Sequence, residues 1–244
     1  GLLVGNIKDS YANVDVGGNV DYAGGLVGNA FNSLIENSHT NGVITGRNDN
    51  TGGLVGYAAK SKIRGSYSDA VVNGNHENTG GLIGFATLGA NIVRSYSTGR
   101  VTGDNNNTGG LVGFATADSV IDRSYSDSIV EGNDNTGGLV GFTVQSTISN
   151  SHAIGSVVGN DFVGGLVGYP DAHSAVVNSY AEGNVSGFES IGGLVGWVDE
   201  SVVEGSYASG STKGRENVGG LVGFSTLNSL IKNSHGTGLV AGGS

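Results

Sequence analysis

The side chains best suited to chemistry in this sequence are carboxylates that recur at one fixed place. Three residues before the tag Gly-Gly-Leu-Val-Gly, seven of eight copies carry an acidic residue: Asp21, Asp49, Glu77, Asp134, Asp161, Glu189 and Glu216. Carboxylate oxygens suit Ca²⁺, and like charges stacked about 4.8 Å apart repel unless water or cations surround them. The row is therefore either a solvated turn or, as the alternative, a row of calcium sites, although the nonapeptide of calcium β-rolls is absent.

A second row that could bind a ligand is formed by the residue after each tag. It is aromatic in seven copies: Tyr57, Phe85, Phe114, Phe142, Tyr169, Trp197 and Phe224. A row of exposed rings can stack on sugar rings or on a partner protein. The alternative is that rings on successive repeats stack on one another and only stabilise the fold.

A third row contains threonine just before the tag, in four successive copies. Flat arrays of threonine on a β-sheet are what an ice-binding surface needs. The row changes after four copies to aliphatic residues, which keeps a β-branched shape and favours packing over ordered water. Its members are Thr51, Thr79, Thr108 and Thr136, followed by Val163, Ile191 and Val218.

Arrangements typical of enzymes and of other binding classes are missing from the sequence. It has no cysteine, so thiolate metal sites and cysteine nucleophiles are excluded. Residues 236–241 match a dinucleotide fingerprint by letters only, because they lie in a repeat strand and open no helix. The net charge of −10 argues against nucleic acid as the principal partner. No apolar run approaches the ~20 residues of a membrane span.

The elements that position these rows follow from an internal repeat. The tag begins at Gly24, Gly52, Gly80, Gly109, Gly137, Gly164, Gly192 and Gly219, with a degenerate copy at Gly1, so residues 1–244 form one array of nine units. Each unit continues with Ile or Val, then a Ser-Tyr or Ser-His pair, a β-branched residue and a glycine. A fixed period of about 28 residues indicates a repeat architecture. With no methionine in 244 residues, we expect the array to be a segment of a longer protein.

The repeat predicts an all-β fold, a β-solenoid resembling a parallel β-helix with nine coils of about 28 residues. Alternation places the serine and β-branched residues inside and the Tyr/His rings outside, so Ile121 and Val130 are predicted to be buried and Tyr125 exposed. Asn and Gly before the serine predict corners with positive φ. The three histidines of the ring row, His39, His152 and His235, lie too many coils apart to share a metal. Nine coils predict a rod about 43 Å long.

Within the tag, the leucine and valine columns are both aliphatic in every unit. In a regular strand Leu139 and Val140 point to opposite faces, so we expect leucine inside and an exposed valine row that packs against another copy or domain. The alternative is a bulge at the glycines that turns both side chains inward.

A Gly-Leu-Val-Gly tag every 28 residues, with a Ser-Tyr-Ser strand between copies, resembles the GLUG repeat of bacterial surface proteins and immunoglobulin A peptidases. The resemblance implies a secreted or wall-attached stalk or adhesin segment, outside the membrane. It implies no catalysis, because the chain lacks the His-Glu-x-x-His zinc helix of those peptidases. The function expected is therefore structural or adhesive and non-enzymatic, without a cofactor unless calcium is bound. Other copies, neighbouring domains or surface glycans are the partners expected.

Overall fold

The computed structural model describes residues 1–226 and 228–243, and in these residues every regular element is a β-strand. Leu227 and Ser244, which the predicted array includes, lie outside the described residues. Strands of successive coils pair in parallel and in register, so that Val55 pairs with Val27 on one side and Ile83 on the other. The predicted β-solenoid of nine coils of about 28 residues is confirmed. The described residues contain no helix with the length and apolar character needed to cross a bilayer.

Four of the five sheets run through all nine coils, and three of these four follow one another in each coil. From the second coil on, each strand of the aromatic sheet begins with the tag valine or, once, isoleucine: Val27–Phe31, Val55–Ala59, Ile83–Thr87, Val112–Ala115, Val140–Val144, Val167–Asp171, Val195–Val198 and Val222–Ser225. Its first strand, Leu2–Leu3, pairs with Asn29 and Ala30, so the degenerate tag at Gly1 does not share the register of the later tags. The isoleucine sheet follows: Asn6–Lys8, Leu34–Glu36, Lys62–Arg64, Asn91–Val93, Val120–Asp122, Thr147–Ser149, Ala175–Val177, Val202–Glu204 and Leu230–Lys232. The ring sheet carries Tyr or His: Tyr11–Asn13, His39–Asn41, Tyr67–Ser68, Tyr96–Ser97, Tyr125–Ser126, His152–Ala153, Tyr180–Ala181, Tyr207–Ala208 and His235–Gly236.

Two further sheets complete each coil. The valine sheet carries the β-branched residue: Val16–Gly18, Val43–Gly46, Val71–Gly74, Arg100–Gly103, Ile129–Glu131, Val157–Val158, Val185–Ser186, Thr212–Gly214 and Val240–Gly242. The threonine sheet has eight strands, which lead into the tag: Ala23–Gly24, Thr51–Gly52, Thr79–Gly80, Thr108–Gly109, Thr136–Gly137, Asp161–Gly164, Glu189–Gly192 and Glu216–Gly219.

The interior consists of aliphatic and small residues stacked in columns. Ile121 and Val130 are 1% and 0% exposed, whereas Tyr125 lies on the outside and is half-buried by its neighbours. The predicted parity of these strands is therefore confirmed. Each buried aliphatic side chain contributes about 1.5–3 kcal/mol relative to an exposed one. The middle coils hold most of this core, because the first and ninth coils leave Leu2 and Leu239 exposed.

The tag differs from the expectation, because its leucine and valine both point inward. Leu139 and Val140 are each fully buried, so the predicted exposed valine row is wrong. Both side chains turn inward, as in the alternative, but at a bend between two sheets. Strand Thr136–Gly137 ends before a bend at Gly138 and Leu139, and strand Val140–Val144 starts after it. The Leu166 carbonyl accepts from both Leu139 N, at 2.9 Å, and Val140 N, at 3.0 Å. The alternation on which the expectation depended holds only within one strand, and this bend separates two strands.

The corner between the isoleucine and ring sheets has the predicted positive φ, for example 50° at Asn150. The serine after this corner supplies hydrogen-bond partners for backbone groups at the corner. Ser124 N donates to Ser151 Oγ of the next coil at 3.1 Å, and Ser124 Oγ donates to the Asp122 carbonyl at 3.0 Å. The same exchange links Ser10 through Ser234, one coil to the next. Buried corner amides are thereby paired without a backbone acceptor.

Replacing Ser124 with alanine should lower the free energy of unfolding by about 1–3 kcal/mol, because the buried Ser95 amide loses its acceptor. The measurement is a urea unfolding curve followed by circular dichroism. Ser209→Ala, the same change at an exposed position, should leave the curve almost unchanged. Equal stability of the two variants would contradict this role of the serine ladder.

Candidate functional sites

The acidic corner, the loop that carries the seven acidic residues, lies beside a ladder of asparagines. Asn50, Asn78, Asn107 and Asn135 all have positive φ, between 52° and 64°. Their side-chain amides form a chain along the rod, in which Asn78 Nδ2 donates to Asn50 Oδ1 at 2.9 Å and Asn107 Nδ2 donates to Asn78 Oδ1 at 2.8 Å. These asparagine side chains bond to one another, so their structural task is to hold the corner.

Three carboxylates of the acidic corner have polar partners within the chain itself. Asn48 Nδ2 donates to Asp21 Oδ1 at 3.0 Å, and Asn160 Nδ2 donates to Asp134 Oδ1 at 3.1 Å. His76 contacts the Asp49 carboxylate. Among the described residues, no group of three or more His, Cys, Asp or Glu side chains could hold a metal ion.

At the C-terminal end of the corner, acidic residues are register partners in the sheet. Asp161 pairs with Glu189, and Glu189 pairs with Glu216. Burial, followed by the charge of Asp134, raises the pKa of Asp161, and a hydrogen bond from the Glu189 amide opposes that rise. These carboxylates repel one another, and the end of the row at Glu216 is exposed to water.

Millimolar calcium should leave the melting temperature unchanged, because the described residues hold no group of three or more His, Cys, Asp or Glu side chains that could bind the ion. A ligand that binds only the folded state raises the melting temperature by linkage. Thermal melts with calcium and with a chelator check this result. A calcium-dependent rise that Asp134→Asn reduces would instead support the calcium alternative.

The threonine row lies inside the rod. Thr51, Thr79, Thr108 and Thr136 are all 0% exposed, and Val163 and Ile191 continue the column with the same burial. An ice-binding face requires threonine at the surface, so that hypothesis is wrong. The observation agrees with the packing role that the change from threonine to valine suggested.

The aromatic row lies on the outside, but its rings cover one another. Phe85 and Phe114 stack with centroids 4.9 Å apart and planes 7° apart, and Phe114 and Phe142 stack at 4.9 Å and 14°. Tyr57 meets Phe85 edge-on, Tyr169 and Trp197 continue the row with tilted rings, and Phe224 at its end is 38% exposed. Stacking on sugars requires a free ring face, and in the middle of the row those faces are occupied.

The C-terminal part of the aromatic row adds acidic neighbours to the rings. The Tyr169 hydroxyl donates to Asp199 Oδ2 at 3.4 Å. Burial, then the charges of Asp171 and Asp199, raise the pKa of Tyr169 to about 12. Phe162 packs against both Tyr169 and Trp197, with centroids 5.8 and 5.1 Å apart. The tyrosine is therefore held neutral over the pH range in which an exposed tyrosine ionises.

Alkaline pH should destabilise the rod through Tyr169. A pKa that is raised in the folded state contributes stability that is present below the unfolded pKa of about 10. That stability is lost as pH rises through the folded pKa of about 12. Melting temperatures between these limits should fall for the wild type and fall less for Tyr169→Phe. If the melting temperatures of the two proteins fell equally with pH, the raised pKa of Tyr169 would be contradicted.

The Tyr/His row forms an outer ladder of nine rings, as the parity predicted. Successive centroids lie 4.6–5.6 Å apart and the planes differ by at most 14°. His39, His152 and His235 are separated by tyrosines in this ladder, as the sequence implied. Burial lowers the pKa of His152, and the charges of Glu182 and Asp127 oppose that shift.

Sequence reasoning missed a group of basic side chains on the isoleucine sheet and the corner after it. Lys62, Arg64, Arg94 and Arg123 occupy adjacent coils and are exposed. The available signal was arginine at a corner position that usually carries Asn or Gly.

Comparison with known proteins supports the repeat assignment. A family model described as the GLUG motif matches residues 163–186, which are about one coil. The resemblance to the GLUG repeat is thus confirmed for that coil, whose pattern the other coils share. Neither a search of curated proteins nor a search of solved structures finds a match.

Proposed function

We propose that this chain is a rigid, non-enzymatic stalk segment of an extracellular surface protein. The observation that carries the proposal is the unbroken register of four sheets through all nine coils. Parallel strands that pair at every coil resist bending of the rod and fix its length at about 4.8 Å per coil. The motif match supports a surface-type repeat protein.

A non-enzymatic role is proposed because the polar side chains repeat along the rod. Catalysis requires different groups that converge on one reacting atom. Here like residues stack on like, as Ser95 and Ser124 do in the serine ladder and Tyr96 and Tyr125 in the ring ladder. The partners we propose are further copies or neighbouring domains at the ends of the rod, where Leu2 and Leu239 are exposed.

The stalk proposal is tested by changing the number of coils on a cell surface. Deleting residues 80–163 removes three whole coils and joins Thr79 to Gly164, which preserves the order of the repeat. A fluorescent tag beyond the rod should then lie closer to the membrane by about 14 Å, measured by energy transfer to a membrane dye. An unchanged height would contradict the stalk role.

A further inference from the structure

A basic patch opposes the overall charge of the chain. It consists of Lys62, Arg64, Arg94 and Arg123, which lie on the outside of the isoleucine sheet and its following corner in the third to fifth coils. Among the outward residues of this sheet and corner in those coils, Asp122 is the one acidic residue. The chain as a whole carries −10. Four cations are thus concentrated on one side of an acidic rod.

Two of these cations stand where the backbone favours other residues. Arg94 and Arg123 have φ of 51° and 48°. The same corner position in the other seven coils is Asp9, Asn37, Gly65, Asn150, Asn178, Gly205 and Asn233. Gly, Asn and Asp tolerate left-handed φ better than arginine does. Backbone geometry therefore does not explain arginine at these two corners, whereas a use for its charge does.

Little of the patch charge is used within the rod. The Arg123 guanidinium lies 3.4 Å from the Asp122 carboxylate and remains 58% exposed. Arg64 lies 3.6 Å from Glu36, which Lys8 already approaches at 3.0 Å. Lys62 and Arg94 form no ion pair with any described residue. Burial raises the pKa of Asp122, but hydrogen bonds from Asn150 and Ser149 and the charges of Arg123 and Arg94 lower it overall. The patch presents its cationic groups to solvent.

We propose that the basic patch binds an anionic polysaccharide through its carboxylate or sulfate groups. Guanidinium groups hold such oxyanions with two parallel hydrogen bonds. The cations lie on neighbouring coils about 4.8 Å apart, which is close to the length of one sugar residue, so an extended chain can meet one coil per sugar. This inference goes beyond the stalk and adds an adhesive face to it.

The neighbouring rings favour a polysaccharide over single-stranded nucleic acid. Nucleic acid strands gain much of their affinity from bases stacked on aromatic faces. Beside the patch, Tyr67, Tyr96 and Tyr125 stack on one another at 4.8 Å with planes 2° and 5° apart. The faces of these rings are therefore not free to stack on bases. The surface can bind a ligand through charge and hydrogen bonds, which suits an anionic polysaccharide.

The test compares two double variants with the same chemical change. Arg94→Asn with Arg123→Asn installs the residue that other coils carry at this corner. Arg47→Asn with Arg215→Asn removes the same charge from the exposed loops of the acidic corner. Binding of the purified chain to heparin and to polygalacturonate is measured at low salt, with neutral dextran as a blank.

The wild type should bind one or both anionic probes, and the patch variant should bind about tenfold more weakly. The loop variant should keep wild-type affinity. The patch variant should melt at or above the wild-type temperature, because Asn suits the corner, which separates lost binding from lost folding. The proposal is overturned if the wild type does not bind, if both variants weaken equally, or if a single-stranded oligonucleotide binds as tightly as the polysaccharides.

Discussion

Replacing Ile121 with aspartate should cost about 3–5 kcal/mol of unfolding free energy, because it leaves an unpaired charge in the core. Ile121 is 1% exposed and lies between Ile92 and Ile148 in the middle of its column. In the described residues around it the column is aliphatic, so the column offers no cation to the carboxylate. Urea unfolding followed by circular dichroism measures the loss.

Tyr125→Ser in the same coil is the control for that result. The ring lies on the outer ladder between Tyr96 and His152, and an aromatic pair contributes about 0.5–1.5 kcal/mol beyond its buried area. The serine variant should therefore unfold at a urea concentration much closer to the wild type. A larger loss of unfolding free energy for Tyr125→Ser than for Ile121→Asp would contradict the assignment of Ile121 to the inside and Tyr125 to the outside.

Replacing Gly109 with alanine should cost at least about 3 kcal/mol, because the added methyl group has no space. A Cβ at this position would overlap the Val112 carbonyl oxygen and lie 2.7 Å from Gly141 N. Both are backbone atoms, which cannot move without disturbing two coils. In every other complete copy the first glycine of the tag likewise meets the carbonyl oxygen of the tag valine or isoleucine, so this close approach explains its recurrence.

Gly17→Ala is the matched control, since a Cβ there meets no atom within 4 Å. Its unfolding curve should resemble that of the wild type. Equal stability of Gly109→Ala and Gly17→Ala would contradict the tight bend at the tag that brings both Leu and Val into the core.

Much of the fold could be predicted because a repeat turns each position into a column. Val130 and its equivalents lie an even number of residues after the serines, so they share one face of the strand. The small and β-branched residues on that face indicated that it is the buried one. The tag could not be predicted in the same way, because alternation applies only within a straight strand. The bend at Gly138 and Leu139 depends on one carbonyl that accepts two amides, and the glycines of the tag indicated such a turn only as the alternative.

The candidate sites were harder to predict, because a row in the sequence does not give the direction of its side chains. Thr108 suits a surface as well as a core, and only its burial shows that it packs inside. The rings of Phe85 and Phe114 are on the predicted side, yet their mutual stacking removes the faces that a sugar would use. Arg94 and Arg123 were not predicted as a site, because Asn or Gly in most coils indicated only a turn at this corner position.

The most direct test of a rod built from equal coils is small-angle X-ray scattering from the wild type and from the variant lacking residues 80–163. The cross-section radius should be the same for both proteins, and the maximum dimension should fall by about 14 Å. A deletion variant whose cross-section shrinks while its length is kept would contradict the coil-by-coil architecture on which the proposed stalk depends.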